Sequence, residues 1–166
     1  HALFLGAEPF LNGVGSCLRH IEEAGVANVR LHHGDVRDVI AALPDASLDR
    51  VYILFPDPWP KTRHWKRRLI QVDFIAELAR VLKPGGALIF VEHGLSPDAV
   101  VRKWQDRLTP LWRRAAGGCH LNRKVDALIR SAGLTITELQ TGYIPGPRVG
   151  TLMYYGGASK KVKSEK

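Results

Sequence analysis

A parallel β-sheet layered with helices, the α/β class, is the architecture this sequence predicts. Two observations predict it. Short apolar runs alternate with stretches of helical period, the pattern of strands covered by helices on both faces. Glycine and proline punctuate the changeovers, with Gly25, the Lys83-Pro84-Gly85-Gly86 turn and Gly133 as the clearest stops.

The elements follow in order. Residues Ala2 to Ala7 read as a first strand ending in Glu8. Leu11 to Ala24 carries apolar residues at Leu11, Val14, Leu18 and Ile21, which is one face of a helix, and Gly25 closes it. Val29 to His32 is a short second strand leading to Gly34-Asp35, followed by a helix over Val36 to Leu43. Arg50 to Phe55 is a third strand. Val72 to Leu82 is a helix stopped by the Lys-Pro-Gly-Gly turn, and Ala87 to Glu92 is the next strand. The rhythm then changes: helices over Asp98 to Leu108 and Asn122 to Ala132 precede two strands, Leu134 to Thr141 and Thr151 to Tyr155. These face each other across a Pro- and Gly-rich connection as a C-terminal antiparallel hairpin. One domain over 1–158 and a disordered basic tail over 159–166 are expected.

Composition narrows the function. No apolar run is long enough to span a bilayer and no signal peptide precedes the first strand, so no membrane partner is expected and the location is cytoplasmic. Cys17 and Cys119 have no partners at metal spacing and read as reduced and buried; metal: none is expected anywhere in the chain. Gly117-Gly118-Cys119-His120 lacks the orienting third group of a reactive Cys–His element. His1 stands where an initiator Met would, and a strand is already in progress there, which predicts a piece of something longer. The chain carries 24 Lys+Arg against 16 Asp+Glu, a net +8 that favours a polyanionic partner. The excess gathers at Lys61 to Arg68, at Arg102 to Arg114 with Arg123 and Lys124, and at Lys160 to Lys166.

The most informative stretch is Phe55-Pro56-Asp57-Pro58-Trp59-Pro60-Lys61 with Thr62 to Arg68 behind it. Open α/β sheets bind ligands outside the carboxyl ends of their strands, which is where this stretch falls. Two prolines hold Asp57 in place, and such preorganisation suits a site, although an Asp can equally cap a structural turn. Trp59 either stacks on a base or lids the core. Lys61, Arg63, Lys66, Arg67 and Arg68 form a phosphate-seeking run; if all met phosphates, log K would fall against log salt with a slope of roughly −3.5. Glu8, at a strand's end, is placed to accept from ribose hydroxyls or to serve as a loop acid near a helix start. Asp35 is placed to accept from an adenine amine or to cap the next helix.

Residues 5 to about 86 resemble the tRNA (guanine-N7-)-methyltransferase family. The resemblance rests on Glu8-Pro9-Phe10-Leu11-Asn12-Gly13-Val14, His32-His33-Gly34-Asp35, Leu43-Pro44-Asp45 and above all Phe55 to Arg68. It implies a class I methyltransferase (Rossmann-like) fold, S-adenosyl-L-methionine as cofactor and tRNA as substrate. It also implies Glu8 as the ribose-binding acid, Asp35 as the adenine-contacting acid, Asp57 as the active-site aspartate bordering the cofactor, and Lys61 as a substrate-binding lysine. Against that family the sequence lacks the first strand and its glycine-rich loop, has Val91-Glu92-His93-Gly94 where a Thr-Asp pair is usual, and lacks the C-terminal Thr-centred element. Residues 87 to about 158 instead resemble UbiE-like (type 11) small-molecule methyltransferases, through Phe90 to Gly94, Trp112 to Arg123 and Tyr143 to Pro147. A junction in the stretch 83–90 is therefore expected. The leading expectation is methyl transfer to N7 of guanine in tRNA by a monomer. A methyltransferase of small or lipophilic acceptors, or an inactive RNA-binding fragment, are the competing readings.

Overall fold

The computed structural model describes residues 2–56, 69–115 and 121–161, with the side chains of 113–115 set aside. Asp57, Trp59, Lys61, Arg63, Lys66, Arg67, Arg68 and Cys119 lie outside the described residues. The chain forms two compact units, residues 1–44 and 45–166.

In the first unit β1 (Phe4–Glu8) pairs in parallel with β2 (Val29–His33), Phe4 opposite Val29 and Glu8 opposite His33. The helix α1 (Leu11–Glu23) joins them, and α2 (Val36–Ala42) follows. Gly25, at φ 62°, ends α1 by taking the left-handed conformation that its position predicts. Burial here is thin. No residue of α1 is buried, Ile40 is the one buried apolar residue among those described, and Leu3, Phe4, Phe10, Leu11 and Leu18 are half exposed or more. Cys17 is a free thiol and half-buried, not buried as expected, because the face of α1 that carries it with Val14 and Ile21 is only half covered.

The second unit holds the core. Its sheet runs β3-β4-β6-β5: β3 (Leu48–Leu54) parallel to β4 (Leu82–His93), then β6 (Leu152–Ser159) antiparallel to β4, then β5 (Thr135–Tyr143) antiparallel to β6. The terminal hairpin is thus present, but its second strand is inserted between β4 and β5. Along β4 every second residue from Gly86 to Glu92 is buried, the period of a strand with one face in the core. The helix α3 (Val72–Val81) buries Phe74, Ile75, Leu78 and Val81, a 3.6-residue stripe worth about 1.5–3 kcal/mol for each large side chain. It meets α5 (Val125–Ser131), whose Val125 and Ile129 are fully buried.

Three boundaries differ from the sequence expectation. The Lys83-Pro84-Gly85-Gly86 segment ends α3 at Val81 but is absorbed into β4, because Leu82 pairs with Leu48 and the Gly85 N–H and Gly86 carbonyl bond Lys160. The next helix, α4 (Ala99–Ala115), runs well past Leu108 and through Pro110. Proline there removes one helical hydrogen bond, yet the helix continues through it, with Thr109 buried and Trp112 beside Gly150. The last strand extends to Ser159, and the Lys160 ammonium donates to the carbonyls of Arg80 and Leu82. A short helix, α6 (Arg148–Thr151), fills the connection between β5 and β6.

A buried polar knot pins the loop between β4 and α4. Gln105 is 1% exposed; its Oε1 accepts from Ser96 N at 2.8 Å and its Nε2 donates to the Gly94 carbonyl at 3.1 Å. Ser96 Oγ meets Tyr143 Oη at 2.7 Å, and Tyr154 Oη donates to the Leu95 carbonyl at 2.8 Å. Among the described residues no helix is long and apolar enough to cross a membrane.

Replacing Gln105 by Leu keeps the volume but orphans a buried N–H and a buried C=O, so the second unit should lose on the order of 2–4 kcal/mol in urea denaturation. An unchanged midpoint would show that water replaces the amide. Hydrogen exchange should protect the amides of β4 and β6 most and those of β1 and β2 least, because the latter pair has few buried neighbours.

Candidate cofactor and acceptor site

Glu8 is the last residue of β1, and its Oε1 accepts from the Phe10 N–H at 2.8 Å. That bond fixes the carboxylate over the entry to α1 and leaves Oε2 uncommitted among the described residues. Gly13 makes the approach possible: a Cβ there would stand 2.8 Å from the Glu8 carboxyl carbon. Both readings of Glu8 therefore coexist, a backbone-bonded loop acid with one oxygen to spare.

Asp35 is brought to the same edge by register. Glu8 faces His33, and the Gly34 N–H bonds the Glu8 carbonyl at 3.2 Å, so Asp35 begins α2 just beyond. Its Oδ1 accepts from Arg37 N at 3.0 Å, the helix cap that was one of its two readings. The Arg37 guanidinium adds an ion pair at 3.3 Å. Asp35 is more heavily committed than Glu8, and any ligand amine must share it with these donors.

In the second unit the carboxyl ends of β3 and β4 lie side by side. Phe55, directly after β3, has φ 51°, a left-handed conformation that a bulky residue adopts only when its surroundings impose it. Its N–H donates to the Val91 carbonyl at 3.0 Å, which holds the turn at the end of β3. Its ring meets the His93 ring at 6.3 Å between centroids, tilted by 57°. Glu92 is buried, with Oε1 accepting from His93 N at 2.8 Å.

Sequence reasoning placed His93 in a departure from one family pattern and in the match to another, without a role of its own. It ends β4 against the Phe55 ring, and its Nδ1 is buried with no hydrogen-bond partner among the described residues. Burial lowers its pKa below the usual 6.5, opposed by a hydrogen bond to the Leu152 backbone, so the ring is neutral at physiological pH. The available signal was its place, a polar residue at the carboxyl end of a strand. Arg123, counted among the polyanion-seeking cations, has a structural role: its guanidinium donates to the Ile70 carbonyl, and its own carbonyl accepts from Leu95 N. Asp57, Lys61, Arg63, Lys66, Arg67 and Arg68 lie outside the described residues, as does Trp59. No group of three or more His, Cys, Asp or Glu among the described residues could hold a metal ion.

The methyltransferase family model Methyltransf_4 matches residues 1–93. A protein of Caulobacter vibrioides named tRNA (guanine-N(7)-)-methyltransferase is 66% identical over 88 residues, covering 53% of this chain and 39% of its own length. Its namesake from Bradyrhizobium diazoefficiens is 52% identical over 88 residues, covering 53% of this chain and 37% of its own. The chain thus spans about two fifths of the length of these curated relatives. Among solved structures, a SAM-dependent methyltransferase from Methanosarcina mazei superposes with a TM-score of 0.63 at 16% identity, over 96% of this chain and 82% of that one. The fold is accordingly the α/β fold of class I methyltransferases. With the family model matching more than half of its residues, this chain belongs to that methyltransferase family.

Proposed function

We propose that this chain contributes the cofactor and acceptor sites of an enzyme that transfers a methyl group from S-adenosylmethionine to N7 of guanine in tRNA, in the cytoplasm. The observation that carries this reading is the 66% identity with a relative of that name across the stretch containing Glu8, Asp35 and the Phe55 to Arg68 block. The residues present suit the cofactor. Glu8 offers an uncommitted carboxylate oxygen for ribose hydroxyls, beside a cradle at Gly13 that any side chain would fill.

When bound, the cofactor supplies a methyl group on a sulfonium, a leaving group that needs no acid. Guanine N7 offers a free lone pair, so the chain need not remove a proton there; placement in line with the methyl does most of the work. The product ring is cationic. Asp57 accepts from the guanine N–H edge and stabilises the charge that develops. The run from Lys61 to Arg68 grips the RNA backbone, and neutral His93 adds no competing positive charge at the strand end.

Calorimetric titration of S-adenosylhomocysteine into the chain tests the cofactor half. Binding should be measurable, and Glu8→Ala should weaken it roughly 10- to 100-fold, the worth of charge-assisted hydrogen bonds. Heat of binding unaffected by that change would remove Glu8 from the site. For the acceptor half, Asp57→Ala should abolish methylation of an unmodified tRNA transcript while leaving its affinity within a few fold. Lys66→Glu with Arg67→Glu should cut affinity and flatten its salt dependence. Turnover and binding both unchanged in Asp57→Ala would sink the assignment.

A further inference from the structure

The helix α4 keeps Val101 and Leu108 half-buried beside two buried polar residues, yet leaves three large apolar ones exposed. Its buried side presents Gln105 and Thr109, at 1% and 5% exposure, whereas Val100, Trp104 and Leu111 are 66%, 51% and 63% exposed. These three, with Arg107, recur at spacings of four, three and four residues and so share one face, a stripe about 16 Å long. The Arg107 guanidinium lies over the Trp104 indole, 5.9 Å from its centroid. Lys103 stands one residue away on the helix's outer side. Neither Lys103 nor Arg107 makes an ion pair among the described residues, and the neighbouring acid, Asp106, is held by Asn122 at 2.9 Å. An exposed apolar stripe of this kind, with uncompensated cations on it, marks an interaction face.

Charge selects the occupant. A second copy of the chain would set Lys103 and Arg107 against themselves in a two-fold contact. A lipid surface would require the charged guanidinium lying on Trp104 to follow the indole into the acyl boundary. A nucleic acid uses the stack as it stands: the guanidinium edge meets a phosphate and the open indole face meets a base. We infer that the outward face of α4, centred on the Trp104–Arg107 stack with Lys103, is a contact for the backbone and an unstacked base of the RNA substrate. This rests on the tRNA reading above and adds a second anchor to it. The helix lies outside residues 1–93 matched by the family model, so the contact belongs to this chain's own C-terminal half.

The test is anisotropy of a labelled, unmodified tRNA transcript titrated with the full chain across a salt series. Lys103→Gln with Arg107→Gln should weaken binding and reduce the salt slope by about 1.4, two phosphate contacts on the single-strand coefficient. Trp104→Ala should weaken binding roughly five- to a hundredfold at every salt concentration with the slope unchanged, and Trp104→Phe should restore most of it. All three side chains are exposed, so melting temperatures should match the wild type. Wild-type affinity and slope in both variants would overturn the inference. If the wild-type chain still methylates guanine N7 and Lys66→Glu with Arg67→Glu still weakens binding, the tRNA reading then stands without α4. Phosphatidylglycerol vesicles that bind the chain and lose it on Leu111→Asp, with tRNA binding untouched, would overturn it in favour of a membrane face. A chain that binds no tRNA at all overturns both readings.

Discussion

The antiparallel ladder between β4 and β6 is the constraint on which the second unit depends. Through it β4 is hydrogen-bonded on both edges, in parallel to β3 and antiparallel to β6, from Ala87 opposite Ser159 to His93 opposite Met153. As an interior strand β4 buries Leu88 and Phe90 on its covered face, neither of which is measurably exposed. The ladder needs Gly156, since a Cβ there would lie 2.5 Å from the Phe90 ring and 2.9 Å from the Glu138 carbonyl. A glycine in the middle of a strand ordinarily weakens it; here it admits an aromatic ring that no other residue would.

That ladder also fixes what stands at the carboxyl end of the sheet. Because β4 is immobilised, Val91 can hold the Phe55 N–H and with it the left-handed turn at Phe55. His93 is carried to the same end and kept neutral by burial. In the first unit the same logic operates with less material. The β1–β2 register brings Glu8 and Asp35 to one edge, and each spends part of its carboxylate on the backbone N–H of a helix start. An acid that caps a helix is also an acid held still, which is why the structural and ligand-binding readings of Glu8 do not exclude each other.

Much of this was legible in the residues. Val72 to Leu82 read as a helix and the apolar run Ala87 to Glu92 as the strand after it, and both elements are present. Where the reading failed, a distant partner had overruled a local signal. Lys83-Pro84-Gly85-Gly86 is a turn by composition, but Lys160, at least 74 residues further on, supplies hydrogen bonds that draw it into β4. Pro110 is a helix breaker by chemistry, but α4 runs through it, with Thr109 buried and Trp112 beside Gly150, 38 residues further on. His93 passed without a role of its own because nothing in its neighbours reports that Nδ1 is buried.

By itself, the sequence determined the alternation of strands and helices, the placing of Glu8, Asp35 and Asp57 beyond strand ends, and the basic run after Asp57. These are local properties, set by side-chain period, turn chemistry and spacing along the chain. Tertiary structure alone decided which carboxylate oxygen is committed, which strand closes the sheet and which face of α4 turns outward. The physical reason is that each of these depends on the exact three-dimensional placing of a partner, near or far along the chain, which side-chain period and spacing do not specify. Gln105 and Thr109 point inward because Gly94, Ser96 and a backbone carbonyl need their hydrogen bonds, and that leaves Val100, Trp104 and Leu111 facing out.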